Sequence, residues 1–333
     1  MHILKQATLV TALLLAAFIM TGCASGNRAD SPHDFQTEIA QVDLDAIPIF
    51  NGATGERKTW DELVAASANA DIVLIGEMHG HPVGLAIAAL LYEQAATRNP
   101  DTAALSLEFF NRDKQWALDD YLAELTDEEG FRKAARLKPG NYPAGHRAMV
   151  ETARRLNQPV IASNAPRQYT GVARKEGYDR LRELTEEQRR LFAIPDKLTE
   201  GRYRESFFDL MSGMVGHGKS DDSEAEDERT PEEIAEAEAE LQEKVLGFFR
   251  SQNLWDATMA HAIVRAVAAG RAPIFHVVGY FHVASEGGLT LRLKEILPSA
   301  NIIVITMTSE DGEELAEDEA GSADWIIHVG PHE

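Results

Sequence analysis

Two stretches decide the fold of this chain: Asp71-Ile72-Val73-Leu74-Ile75-Gly76-Glu77-Met78-His79 and Pro273-Ile274-Phe275-His276-Val277-Val278-Gly279-Tyr280-Phe281-His282. Each is an apolar run that ends in a Gly-x-x-His tetrapeptide. Such runs, rich in β-branched residues, are typical of buried parallel strands, and a glycine at the exit allows a close turn of the backbone. Because ligands of open α/β sheets bind outside the carboxyl ends of the strands, we expect His79 and His282 to share one site.

The rest of the chain continues an alternation of strands and helices. It predicts strands at 103–107, 159–163, 301–306 and 325–329 and helices at 83–97, 144–156, 231–269 and 286–296. A short strand and turn at 48–52 precede a capping box formed by Thr59 and Glu62. This order predicts an α/β fold with a mainly parallel central sheet flanked by helices, without an internal repeat.

Polar residues follow the predicted strands and should meet at one edge of the sheet. This rim consists of Glu77, His79, Glu108, Asn164, Arg167 and His282. A carboxylate there can orient an imidazole, hold a cation or act as a base. The alternative for Glu77, Glu108 and Asn164 is capping of the next helix.

Four further residues are weaker candidates for the same edge. His81 either joins His79 or faces solvent, and Asp256 lies on a helical face that can point towards the rim. Tyr142 and His146 begin a helix in a group suited to an anion or a haem propionate, although ordinary surface chemistry explains them equally well.

The N-terminus predicts export and lipidation. Residues 1–22 combine Lys5 with a short apolar segment, which is typical of a signal peptide. Met20-Thr21-Gly22-Cys23 resembles the lipobox of bacterial lipoproteins, which implies lipidation of Cys23 and a lipid anchor in the cell envelope. Ala24 favours the outer membrane, facing the periplasm. Residues 23–41 then form a polar tether and residues 42–333 the domain; the alternative is an ordinary secretory peptide.

Composition excludes several classes of function. The formal net charge of −22 argues against nucleic acid or an anionic membrane surface as a partner, and the single cysteine excludes a disulfide framework. Much of the charge lies in an acidic loop insertion predicted over 211–245. Within it, Met211, Met214 and His217 suit a soft cation, whereas the alternative is a surface loop with packed methionines.

The chain resembles the ChaN-like haem-binding lipoproteins of the Tiki superfamily, which also holds the TIKI proteases, TraB proteins and erythromycin esterases. The resemblance rests on the two tetrapeptides and on Leu107-Glu108-Phe109, Tyr142-Pro143, 160–167 and 255–260. Family chains often carry another histidine shortly after the first tetrapeptide, and here Val83-Gly84-Leu85 offers none beyond His81.

The resemblance implies non-covalent binding of haem or iron for uptake or handling, with a homodimer as one arrangement. Tyr280, Tyr142 and His282 are then the candidate iron ligands, and His146 and Arg167 complete the candidate cofactor-binding set. The superfamily also implies a hydrolase as the alternative. In that case His79, Glu108 and His282 hold a divalent metal ion with Glu77 as base, or His79 and Glu77 activate water without a metal.

Overall fold

The computed structural model of this protein describes residues 42–138, 140–216 and 230–331. The predicted signal peptide 1–22, the tether 23–41 with its lipidated Cys23, and His217 lie outside the described residues. Their assignments therefore stay predictions.

A single eight-stranded sheet forms the centre of the molecule. The strands are β1 (Ile49–Asn51), β2 (Arg57–Lys58), β3 (Ile72–Glu77), β4 (Ala104–Asn111), β5 (Val160–Asn164), β6 (Ile274–Gly279), β7 (Ile302–Thr308) and β8 (Trp325–His328). Their order in the sheet is β2-β1-β8-β7-β3-β6-β4-β5, and every pairing is parallel except the two made by β1. The predicted α/β class and the mainly parallel sheet are confirmed.

Helices connect the strands and cover both faces of the sheet. They are α1 (Trp60–Asn69), α2 (Pro82–Ala96), α3 (Gln115–Leu122), α4 (Glu128–Ala134), α5 (Ala144–Arg155), α6 (Arg167–Arg182), α7 (Glu186–Arg189), α8 (Arg202–Gly216), α9 (Pro231–Ala268) and α10 (Gly288–Ile296), with 3-10 turns at Arg112–Lys114 and Tyr280–His282. The capping box of Thr59 and Glu62 begins α1 as predicted. Within the described ranges, no helix combines the length and apolar character that a membrane span requires.

Alternate side chains of β3 enter different layers, because successive residues of a strand point to opposite faces of the sheet. Val73 and Ile75 pack in the larger core under α1, α2 and α5. Ile72 and Leu74 pack in the second core, under α9 and α10. Glu77 continues the first series, so its carboxylate enters the layer of α2 and α5.

The acidic stretch 211–245 is not a loop where the structure describes it, which corrects the prediction. Residues 211–216 end α8 and residues 231–245 begin α9, which opens with a capping box of Thr230 and Glu233. Met211 is fully buried against Val245 and Phe249. Buried apolar residues thus pack the two helices together, while Glu236, Glu238 and Glu240 of α9 are exposed. Met211 fills a gap in this core, as the alternative proposed, but it lies on a helix and not on a surface loop.

Candidate functional site

The two Gly-x-x-His tetrapeptides pack against each other at the carboxyl edge of neighbouring strands β3 and β6. A Cβ on Gly76 would lie 2.9 Å from Cγ2 of Val283 and 3.3 Å from Cα of Tyr280, and a Cβ on Gly279 would lie 2.8 Å from Nε2 of His79. The sequence suggested that these glycines serve turns, but Gly279 has a φ of −54°, which any residue can adopt. Each glycine instead makes room for the other tetrapeptide.

The first tetrapeptide forms a chain of two histidines around one buried carboxylate. Oε1 of Glu77 lies 2.8 Å from Nδ1 of His79, and Oε2 lies 2.7 Å from Nε2 of His146 on α5. Glu77 and His146 are buried, whereas half of the His79 side chain is exposed. Glu77 therefore fixes the orientation of an imidazole that solvent can reach.

A second set of titratable groups lies in the other layer of the molecule. Nδ1 of His282 is 2.5 Å from Oδ1 of Asp256, which α9 holds fully buried. Nε2 of the same ring lies 3.6 Å from Oε1 of Glu108, whose Oε2 accepts a 2.7 Å hydrogen bond from the Gly279 amide. The ring of His282 is thus engaged at both nitrogens.

Two residues that the sequence analysis missed support this second set. The hydroxyl of Tyr203 on α8 donates to Oδ2 of Asp256 over 2.9 Å, and Nε2 of Gln252 lies 3.2 Å from Nδ1 of His282. Gln252 comes one helical turn before Asp256, so helical spacing could have indicated it. Nothing in the sequence signals Tyr203, because only tertiary packing brings α8 to this place.

The electrostatics of the first set favour an ion pair. Burial raises the pKa of Glu77, but the adjacent imidazoles of His146 and His79 outweigh burial and hold that pKa well below its ordinary value. Burial lowers the pKa of His79, while the hydrogen bond and charge of Glu77, with help from Glu108, raise it to about 9. Glu77 is therefore ionised and His79 protonated at neutral pH.

In the second set too, the pKa of the glutamate is lowered and the pKa of the histidine is raised. Burial raises the pKa of Glu108, but the charges of His282 and His79 and the amide of Gly279 bring it below its ordinary value. Burial lowers the pKa of His282, and the carboxylates of Asp256 and Glu108 together raise it. A Cβ on Gly279 would lie 2.8 Å from Nε2 of His79 and 3.6 Å from Oε2 of Glu108, and Glu108 is in turn 3.6 Å from His282. The structure thus places His79, Glu108 and His282 at one edge of the sheet.

Other predicted site residues occupy different surroundings. Tyr142 is buried among Phe109, Phe110 and Phe131, and its hydroxyl has no hydrogen-bond partner among the described residues. Burial raises its pKa well above the ordinary value. His81 caps α2 by accepting from the Gly84 amide, and its Nε2 contacts the carbonyl of Gly330. These contacts make His81 a structural residue in the described chain.

Tyr280 and His282 do not extend side by side. They lie on a 3-10 turn, in which the His282 side chain contacts Asp256 while Tyr280 is partly exposed. Burial, followed by Glu319, raises the pKa of the Tyr280 phenol. The phenol and the imidazole are therefore separate candidates.

The last two rim residues follow β5. Asn164 is nearly buried, and its side chain accepts from the adjacent amide of Ala165; it does not cap α6, whose N-cap is Pro166. Arg167 is exposed at the first turn of α6. Neither side chain makes a hydrogen bond or ion pair to the imidazoles or carboxylates of His79, Glu108 and His282 among the described residues.

The site contains histidine–carboxylate pairs that can transfer protons, and the imidazole of His79 is open to solvent. Among the described residues, no group of three or more His, Cys, Asp or Glu side chains is arranged to hold a metal ion, so the predicted ligand set of His79, Glu108 and His282 converges without forming such a group. A histidine oriented by a carboxylate can act as a general acid or base, and it is also the usual arrangement of a histidine that ligates a metal brought by a cofactor.

Comparisons with known proteins point to a haem-binding family. A sequence model described as haem-binding uptake, Tiki superfamily, ChaN matches residues 63–293. No curated protein sequence matches the chain. Among solved structures, ChaN of Campylobacter jejuni, described as showing cofacial haem binding, has a TM-score of 0.62 and 15% identity, over 85% of this chain and 96% of that chain.

Two other solved structures have lower scores. The type III effector HopBA1 has a TM-score of 0.41 and 13% identity, over 88% of this chain and 100% of that chain. The erythromycin esterase EreC in its open conformation has a TM-score of 0.35 and 12% identity, over 82% of this chain and 78% of that chain.

Proposed function

Because this chain belongs to the ChaN family of haem-binding uptake proteins in the Tiki superfamily, we propose that it binds haem at the carboxyl edge of its sheet. The physiological role that we propose is uptake or handling of haem or iron at the cell envelope. The observation that carries the proposal is the half-exposed imidazole of His79, whose Nδ1 is held by the buried carboxylate of Glu77.

The donor set at this edge suits haem. Bound haem supplies an iron with axial coordination positions, and imidazole is among its common protein ligands. Because Glu77 already engages Nδ1 of His79, Nε2 is the nitrogen left to serve as a ligand, and the carboxylate would raise its basicity. Three apolar side chains near this edge are accessible: Met78 after β3 and Phe109 near the end of β4 are partly exposed, and Val83 on α2 is exposed. Apolar contact is what a porphyrin face requires.

The other candidate ligands are less available than His79. Tyr142 and His146 are buried, and His282 is engaged at both nitrogens. Tyr280 is partly exposed, so its phenol is the second candidate. We therefore assign His79 as the first iron ligand to test, with Tyr280 as the alternative.

Hemin titration followed by the Soret band tests this assignment. We expect His79→Ala to abolish or shift the Soret change and Tyr280→Phe to leave it in place. His261→Ala is the matched control, because it removes an exposed histidine on α9 outside both carboxylate sets. A wild-type protein without a Soret change at micromolar hemin, or an unchanged His79→Ala titration, contradicts the proposal.

The second candidate function is hydrolysis with histidine and glutamate as acid and base. One specific observation favours it: His79 with Glu77 and His282 with Asp256 are two histidine–carboxylate pairs brought to one edge. Such pairs can activate water and protonate a leaving group. Turnover of ester or peptide substrates that His282→Ala abolishes and hemin does not affect supports this candidate, and the absence of turnover rejects it.

We also propose that the protein is a lipoprotein anchored through Cys23, probed separately from haem binding. The lipobox-like stretch ending at Cys23 supports this proposal. Incorporation of labelled palmitate into the wild type but not into Cys23→Ala is the expected result. Labelling of both proteins, or of neither, contradicts it; fractionation of the envelope then tests the outer membrane as the location.

Homodimer formation is proposed as a further arrangement. The similarity to the family supports it, and the test is the molar mass in solution with and without hemin. A monomer under both conditions contradicts it.

A further inference from the structure

Arg112 begins a 3-10 turn directly after β4 and is tied to α9. Its Nη2 donates to the carbonyl of Thr258 over 2.5 Å and lies 2.9 Å from Nδ1 of His261. Since a guanidinium can only donate, Nδ1 of His261 accepts and its Nε2 carries the proton. The two contacts hold the guanidinium in one orientation and leave Nη1 and Nε of Arg112 for another partner.

Three basic groups meet here without a carboxylate. Arg265 lies one turn after His261 on α9, and none of Arg112, His261 and Arg265 forms an ion pair among the described residues. Burial, followed by the charge of Arg265, lowers the pKa of Arg112 to about 10. Burial, then Arg112 and Arg265, lowers the pKa of His261. The arginine charges therefore repel each other and keep the imidazole neutral.

Arg112 is the partly buried member of this group, whereas His261 and Arg265 are exposed. A partly buried charge normally has an opposite charge beside it, and this chain has 54 acidic residues against 32 basic ones from which to supply one. Among the described residues, none of these carboxylates nevertheless forms an ion pair with Arg112, and the adjacent Asp113 pairs with Lys114. An anion from solution would remove the repulsion and satisfy the remaining donors.

We propose that Arg112, His261 and Arg265 form a binding site for the phosphate group of a small soluble anion. The two guanidinium charges match a phosphate dianion, and the planar fork of arginine matches its oxygens. The neutral Nε2–H of His261 supplies a further donor.

The site is independent of the proposed haem function. Thr258, His261 and Arg265 are spaced three and four residues apart and share one face of α9, whereas Asp256 is two residues from Thr258 and faces His282. A failure of hemin binding therefore says nothing about this site, and the reverse also holds.

Titration calorimetry with inorganic phosphate tests the proposal on the full chain in a non-ionic detergent, with ionic strength held constant by chloride. We expect saturable binding to the wild type and a loss of affinity of about tenfold or more in Arg112→Gln and in Arg265→Gln, as removal of a charged donor to an anion predicts. Arg98→Gln is the matched control because it removes one exposed arginine.

Imidazole NMR provides a readout that does not depend on affinity alone. Phosphate should shift the Nε2 resonance of His261 in the wild type and in Arg98→Gln, and not in Arg112→Gln, whose fold is checked by its melting curve. Absence of saturable binding, or equal losses in Arg98→Gln and Arg112→Gln, overturns the proposal. Binding only to vesicles that contain phosphatidic acid, and not to inorganic phosphate, also overturns it, since the site would then bind a membrane surface and not a small soluble anion.

Discussion

Replacing Glu77 with glutamine tests the electrostatic account of the open imidazole. Glu77 is the main cause that raises the pKa of His79 from its ordinary 6.5 to about 9, a difference of 2.5. Burial alone acts in the opposite direction, and Glu108 supplies a smaller upward contribution. Because half of the His79 side chain is exposed, solvent screens part of this interaction. We therefore expect Glu77→Gln to lower the pKa of His79 by about 2 units.

The assay is a pH titration of the imidazole carbon–proton resonances by NMR, with the His79 signal assigned from its loss in His79→Gln. Glu129→Gln serves as the control, since it neutralises an exposed carboxylate on α4. Its His79 titration should match that of the wild type. A pKa in Glu77→Gln within about half a unit of the wild-type value refutes the reasoning, because ordinary variation is of that size or larger.

Three further predictions follow from the same geometry. Hemin affinity should rise between pH 6.5 and 9, because His79 must lose its proton to bind iron; a Soret titration at several pH values checks this, and a decrease contradicts it. Because the pKa of Glu77 is lower in the folded chain than in the unfolded chain, the unfolded chain binds more protons in acid. The contribution of Glu77 to stability is therefore complete above about pH 4.5 and is lost as the pH falls. Urea unfolding at several pH values should show a smaller decrease in the free energy of unfolding on acidification for Glu77→Gln than for the wild type. Gly279→Ala places a carbon 2.8 Å from Nε2 of His79, so hemin affinity should fall about tenfold while the melting temperature changes little, since the neighbour is the end of a half-exposed side chain; an unaltered Soret titration contradicts this.

The sequence predicted the sheet and the convergence of its ends well. The apolar runs around Ile75 and Val277 are typical of buried strands, and parallel neighbours bring their carboxyl ends together. His79, Glu108 and His282 therefore met as expected. A capping box is a local pattern, so residues 59–62 were enough to predict that Thr59 and Glu62 begin a helix.

The remaining features depend on contacts that no local pattern carries. His146 reaches Glu77 from α5, and Tyr203 reaches Asp256 from α8, because packing of the helices on the sheet brings these residues together. Tyr280 and His282 do not share one side of an extended strand, because the 3-10 turn after Gly279 rotates successive side chains away from the alternation of a strand. The predicted acidic loop is wrong for its described parts, 211–216 and 231–245, because buried Met211 and Val245 pack these two segments together as helices.

The carboxylates of Glu77 and Asp256 lie on opposite faces of the sheet. Glu77 looks into the layer beneath α2 and α5, while His282 and Asp256 occupy the layer beneath α9, with the sheet backbone standing between them. His79, at the tip of β3, is the group whose electrostatic influence reaches both sides. A substitution in either layer should therefore also change the other layer through His79, because Glu77 and Glu108 both raise the pKa of this imidazole.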